Sequence, residues 1–201
     1  EGFGALLLAP HLAQLTRKHP HLSIDLLALP RMLHLSRREA DIVISLERPT
    51  RGSVIVSRLS DYSLYLYGQR EYLARKPLVA TREDLRHHAF VSYVDDLLFT
   101  KELQFLDALH QPERFAFRST SITAQYEAVR AGAGLAVLPA FLADRDPVLT
   151  RVLPQEGQFT RTFWMSMPSE SKHLARMQVT WAFLRETVAA QQELLKPKAV
   201  R

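Results

Sequence analysis

The chain has 201 residues, 47% of them apolar and 23% charged. That suffices for a sizeable core in one large domain or two small lobes, and it excludes disordered and fibrous classes. The absence of cysteine excludes disulfides, thiolate metal sites and cysteine nucleophiles, and the net charge of +5 is spread along the chain rather than blocked.

The densest basic group, Arg31, Arg37 and Arg38 followed by Arg48 and Arg51, reads as a solvated surface. No run approaches the ~20 apolar residues of a membrane span. The opening Glu1-Gly2-Phe3-Gly4 lacks the basic start of a signal peptide.

Helical and strand patterns alternate in chain order. Leu6 to Lys18 reads as a helix with Leu8, Leu12 and Leu15 on one face and Pro10 near its first turn. Leu22 to Ala28 alternates like a strand, Met32 to Arg38 reads as a short helix, and Asp41 to Leu46 as a buried strand. Strands are expected at Val54 to Leu59 and Tyr62 to Tyr67, with a turn at Pro49 to Gly52 before them. A helix from Gln69, a strand at Ala89 to Tyr93, a helix over Thr100 to His110 and a strand at Arg114 to Arg118 follow.

The next unit has the clearest punctuation. Ser119-Thr120-Ser121 offers capping hydroxyls, Ile122, Tyr126 and Val129 recur at helical spacing, Gly132 stops the helix, and Leu135 to Leu138 is a strand closed by Pro139. Thr160 to Met167 reads as a strand. The last helix spans about Ser171 to Leu195, with Leu174, Met177, Trp181, Leu184 and Val188 as its stripe. Repeated strand–helix–strand units make the class α/β and imply parallel pairing.

Catalytic and metal chemistry finds little support. No two of the eight histidines are three or four apart, so no helical pair converges on a metal. No nucleophile elbow is present. The glycines of Ala131-Gly132-Ala133-Gly134 follow a helix and precede a strand, the reverse of a phosphate cradle. Asp95-Asp96 reads as a solvated turn. The run Ser119 to Thr123 stands apart, because hydroxyls at a helix N-terminus, beside unpaired N–H donors, either cap the helix or bind a carboxylate.

The order of motifs resembles the regulatory domain of LysR-type transcription regulators. Leu7 to Pro20 is similar to that family's first helix, Leu35 to Ile42 to its entry into the third strand, and Asp61 to Tyr67 with Glu71-Tyr72-Leu73 to its crossover into a second lobe. Tyr126-Glu-Ala-Val-Arg-Ala-Gly-Ala-Gly-Leu-Ala-Val-Leu-Pro139 is similar to its most recognisable motif, and Phe163-Trp164-Met165 with a closing helix to its return.

The resemblance covers essentially the whole chain. It implies a type 2 periplasmic-binding-protein-like fold of two α/β lobes joined by two crossover strands, near Asp61 to Leu64 and Thr160 to Trp164. Residues 1–61 with 163–201 would form lobe I and residues 62–162 lobe II. The winged helix-turn-helix DNA-binding domain of such regulators is absent from this chain.

By the same resemblance the domain is not an enzyme and uses no metal or cofactor. A small effector, a carboxylate or aromatic metabolite, would bind between the lobes. Candidate contacts are Ala5, Leu6, Pro30, Arg31, Ser92, Tyr93, Ser121, Ile122 and Thr123, with Arg31 as partner for an anionic group. Self-association as a dimer, tetrameric in the full-length protein, cytoplasmic location and DNA contact only through the absent domain also follow. The alternative is an extracytoplasmic solute-binding protein of the same fold.

Three departures qualify the likeness. Ala5 stands where relatives carry a hydroxyl, Ser45 stands where many carry Arg, and the sequence opens at Glu1, where the family's first strand is finishing. The first two argue against a strongly clamped carboxylate.

Overall fold

A computed structural model of the chain describes residues 1–29 and 39–197. Pro30, Arg31 and the helix expected over Met32 to Arg38 lie outside the described residues.

The chain enters through a wide π-helical turn, Phe3–Leu8, that continues directly into helix α1, Ala9–Lys18. Pro10 falls in the first turn of α1, where its missing N–H has no intrahelical acceptor to satisfy. Phe3, Leu7, Leu8, Leu12 and Leu15 are buried, a spacing that keeps one face inward over four turns. Arg17 and Lys18 in the last turn complement the helix dipole.

A sheet forms the spine. Strand β2, Val54–Gln69, is a single 16-residue strand where sequence alternation suggested two. It runs antiparallel to β7, Gln158–Pro168, from Val54↔Pro168 to Tyr65↔Gln158, with one irregularity between Arg58 and Ser60. Strand β1, Val43–Ser45, pairs with β7 through Ile44↔Met165 at one end of this ribbon. At the other end, β5 (Ala136–Pro139) and β6 (Leu149–Arg151) pair with β2 through Leu66↔Val137 and Gly68↔Thr150. Every ladder in this five-stranded sheet is antiparallel. Among the described residues the expected parallel pairing occurs only between β3 (Phe90–Ser92) and β4 (Phe115–Arg118), with one parallel bridge from Phe90 to Leu135.

Residues 22–29 form no strand despite their alternation. Among the described residues β1 lies at the edge of the sheet, bonded on one side only. The 22–29 segment makes no ladder with that open edge.

After β2, Gln69 caps the short helix α2 (Arg70–Ala74) by accepting from Tyr72 N. The helix expected over Thr100 to His110 is broken instead. Thr100 caps a 3₁₀ turn at Lys101–Leu103, and α3 covers only Leu106–Leu109. Buried Leu103, Phe105 and Leu109 do not share a helical stripe.

Helix α4, Ile122–Arg130, ends at Gly132, whose φ of +81° suits glycine. A Cβ on Gly134 would sit 2.3 Å from the Ala89 carbonyl oxygen, so only glycine lets this turn pass β3. Helix α5 (Ala140–Ala143) follows β5. Helix α6, Ala175–Ala190, buries Met177, Leu184 and Val188 and packs near α1. Helix α7, Gln192–Leu195, then docks on the ribbon, with Gln192 Nε2 donating to Ser60 Oγ at 3.0 Å.

Candidate functional site

The site is built outward from the N-terminus of α4. Ser121 is extended (φ −93°, ψ 122°) and its Oγ accepts from Ala124 N at 3.1 Å, capping the helix. The turn before it is braced. Ser119 N donates to the Ser92 carbonyl at 3.0 Å, Ser119 Oγ accepts from Ser121 N, and the buried Gln125 amide donates to the Ser119 carbonyl at 2.9 Å.

Bracing leaves the first amide of the helix and the remaining proton of the cap pointing outward, and both are taken by one group. Ser121 Oγ donates to Glu1 Oε1 at 2.7 Å, and Ile122 N donates to Glu1 Oε2 at 2.8 Å. A carboxylate on the first amide of a helix is favoured both by the hydrogen bonds and by the partial positive charge there. Gly2 makes the approach possible, since a Cβ there would lie 2.8 Å from the Ile122 side chain.

Glu1 and Ile122 of this contact line a cavity of about 750 Å³. One wall is an aromatic stack. The Phe163 ring lies between Phe3 (4.1 Å between centroids) and Tyr62 (4.2 Å), and Phe141 meets Phe3 and Tyr62 edge-on. Tyr93, Thr120 and Ile122 form the wall on the α4 side. Residues 22–29, β1 and Met177, Thr180 and Leu184 of α6 also line it.

A second carboxylate bridges the same two parts of the chain. Thr100 Oγ1, buried, donates to Glu47, which follows β1. Where β2 and β7 cross beneath the cavity, Thr162 Oγ1 donates to Asp61 Oδ1 at 2.7 Å, Arg58 pairs with Asp61, and Lys196 Nζ lies 3.7 Å away. Burial pushes the Asp61 carboxyl up, but the Thr162 bond and the two cations outweigh it and hold its pKa below the usual value.

Tyr62 and Tyr93 have phenols raised well above their ordinary pKa. Burial is the main cause for both, reinforced at Tyr93 by the Glu1 charge. Both therefore remain protonated donors across the physiological range. Among the described residues no group of three or more histidines and acids is placed to hold a metal. No helix among them is long and apolar enough to cross a membrane.

The sequence-predicted residues fall into four groups. Tyr93 and Ile122 line the cavity. Ser121 reaches it through Glu1, while Ser92 supplies its carbonyl to the brace and half-buried Thr123 stands one residue inside the helix. Ala5 and Leu6 are exposed and absent from the cavity wall, so the apolar wall opposite Tyr93 is made by Phe3, Tyr62 and Phe163 instead. Pro30 and Arg31 are outside the described residues.

Sequence reasoning missed Glu1, Glu47, Thr120 and the aromatic stack. Gly2 and Gly4 beside Glu1 were the available signal, because closely spaced glycines before a helix mark a close backbone approach.

Residues 1–189 match the LysR substrate binding domain. An uncharacterized HTH-type transcriptional regulator of Haemophilus influenzae is 24% identical over 164 residues, covering 78% of this chain and 56% of that protein. The Mau operon transcriptional activator of Paracoccus denitrificans is 31% identical over 136 residues, 68% of this chain and 44% of that protein. The chain thus spans about half the length of the curated relatives it matches. Among solved structures, the regulatory domain of CrgA, a LysR-type transcriptional regulator from Neisseria meningitidis, superposes with a TM-score of 0.76 at 22% identity, covering 90% of this chain and 92% of that one. The shared architecture is the type 2 periplasmic-binding-protein-like fold.

Proposed function

This chain belongs to the LysR substrate binding domain family, and on that premise we propose that it senses a small metabolite in the cavity beside α4 and passes the change to DNA-binding domains of a longer, oligomeric, cytoplasmic regulator. Residues 1–61 with 163–201 act as one lobe and 62–162 as the other, hinged where Asp61 and Thr162 pair. The observation that carries this reading is the Glu1 carboxylate reaching from the start of the chain to Ser121 and Ile122 beside the cavity. A contact made from one lobe to the other can differ between open and closed forms. A ligand that binds one form better shifts the balance by its differential affinity, and oligomer contacts carry that shift outward. The protein chemistry is binding alone, with no step catalysed.

The test is a thermal-shift screen of small metabolites on the natural full-length protein, followed by operator binding with and without each hit. A hit at a hundredfold excess over its Kd stabilises the folded state by about 2.7 kcal/mol. The reading expects such a metabolite to change operator occupancy as well. A screen without hits, or hits that leave operator binding unchanged, contradicts it.

A further inference from the structure

The chain has six tyrosines, and the fold provides for the hydroxyls of three. Tyr67 donates to Asp144 Oδ1 at 2.7 Å, Tyr126 donates to Asp146 Oδ2 at 2.6 Å, and the Tyr72 oxygen accepts from Ala89 N at 3.2 Å. Tyr65 has no partner for its hydroxyl, but it is fully buried and takes no part in the cavity wall.

Tyr62 and Tyr93 differ from these four. Both line the cavity, they are only 3% and 9% exposed, and among the described residues neither hydroxyl makes a hydrogen bond. A buried hydroxyl without a partner costs free energy, so such groups normally find one in protein, water or ligand.

The two phenols are neighbours. The charge of one would bear on the other, yet no hydrogen bond joins them. Burial keeps both protonated, so each has one proton to donate. A carbonyl oxygen has two lone pairs, one for each phenol. The surroundings suit such a bond, because Leu64, Leu103, Phe141 and Phe163 make this part of the wall hydrocarbon, and a hydrogen bond is stronger there than in water. Tyr62 is also fixed in place by its stack on Phe163, at 4.2 Å between centroids, so little freedom is lost when its hydroxyl is engaged.

We propose that Tyr62 and Tyr93 set the specificity of this cavity, and that its ligand is a small apolar molecule whose carbonyl oxygen accepts from both hydroxyls while its hydrocarbon part lies against Phe141 and Phe163. This inference rests on the cavity being the effector site.

The test uses two probes of the same shape, acetophenone and α-methylstyrene, which differ in having an oxygen or a methylene at one position. Each is titrated by ligand-observed NMR into the natural full-length protein and its Tyr62→Phe and Tyr93→Phe variants. Phenylalanine keeps the ring and removes only the hydroxyl, and thermal unfolding checks that the variants fold. Each variant should weaken acetophenone binding by about two- to tenfold and leave α-methylstyrene within about twofold of wild type. Acetophenone binding unchanged in either variant, both probes weakened by the same factor, or no binding of acetophenone at millimolar concentration overturns the proposal. A metabolite that controls operator binding and binds both variants as tightly as wild type overturns the phenol pair while leaving the sensing role standing.

Discussion

The Glu1 carboxylate accepts from the Ser121 hydroxyl at 2.7 Å while the same hydroxyl oxygen accepts from Ala124 N at 3.1 Å. One serine thus caps α4 and anchors the start of the chain to it. Ser121→Ala removes both bonds. Loss of a serine cap costs about 0.5–2 kcal/mol, so denaturant unfolding of this variant should show a drop in that range. Thr123→Ala, whose hydroxyl caps nothing, should change stability by less than about 0.5 kcal/mol. Equal losses in the two variants would contradict the assignment of the cap.

Asp61 links the crossing strands, and its depressed pKa makes that link sensitive to acid. A carboxylate whose folded pKa lies below its unfolded value of about 3.8 stabilises the fold fully above that value. The contribution fades as pH falls through the folded pKa. The stability gap between wild type and Asp61→Asn should therefore be constant near neutrality and shrink as pH drops below about 3.8. Unfolding midpoints of both proteins against pH measure it. A gap that widens on acidification would reverse the sign of the argument.

The aromatic wall is also core. Phe163 is 7% exposed and stacks on both Phe3 and Tyr62. Phe163→Ala should destabilise by about 3–5 kcal/mol, and Phe163→Leu by roughly 1.5 kcal/mol or less if the pocket can refill. Chemical denaturation separates them. A Phe163→Ala protein as stable as wild type would mean that the stack contributes nothing.

Leu6, Leu26, Leu27 and Leu29 are 46%, 41%, 49% and 40% exposed, and the 22–29 segment runs beside the first helical turn, with Leu26 3.6 Å from a Cβ placed on Gly4. An apolar surface of this kind usually marks an interface. The chain should sediment as a dimer at tens of micromolar by the family analogy, and Leu6→Asp with Leu27→Glu should shift it to monomer. A wild-type monomer under these conditions would contradict self-association through this face.

Much of this was legible in the sequence because local chemistry decided it. Ser121, Ile122 and Gly132 mark the start and stop of α4 by capping and φ preference alone, and all three hold. The family order of motifs pointed to the fold and to the α4 end of the cavity. Pairing partners were not legible. Residues 22–28 alternate correctly for a strand, but alternation fixes an extended backbone, not an adjacent edge. The Thr100 to His110 stretch has helical composition, yet burial of Phe105 between Leu103 and Leu109 breaks the period. Ala5 and Leu6 lie in the π-helical turn of Phe3–Leu8 and are exposed. Glu1 was overlooked because its partner is 120 residues away, and no local pattern announces a contact of that range.

The most direct test of the sensing role is a crystal structure of the domain with the metabolite that gives the largest thermal shift. The account predicts ligand density in the cavity between Tyr93 and Ile122 on one side and Tyr62 and Phe163 on the other, with a polar group within hydrogen-bond distance of Glu1 or the α4 N-terminus. Density anywhere else, with this cavity empty and the Glu1–Ser121 contact unchanged, would contradict it.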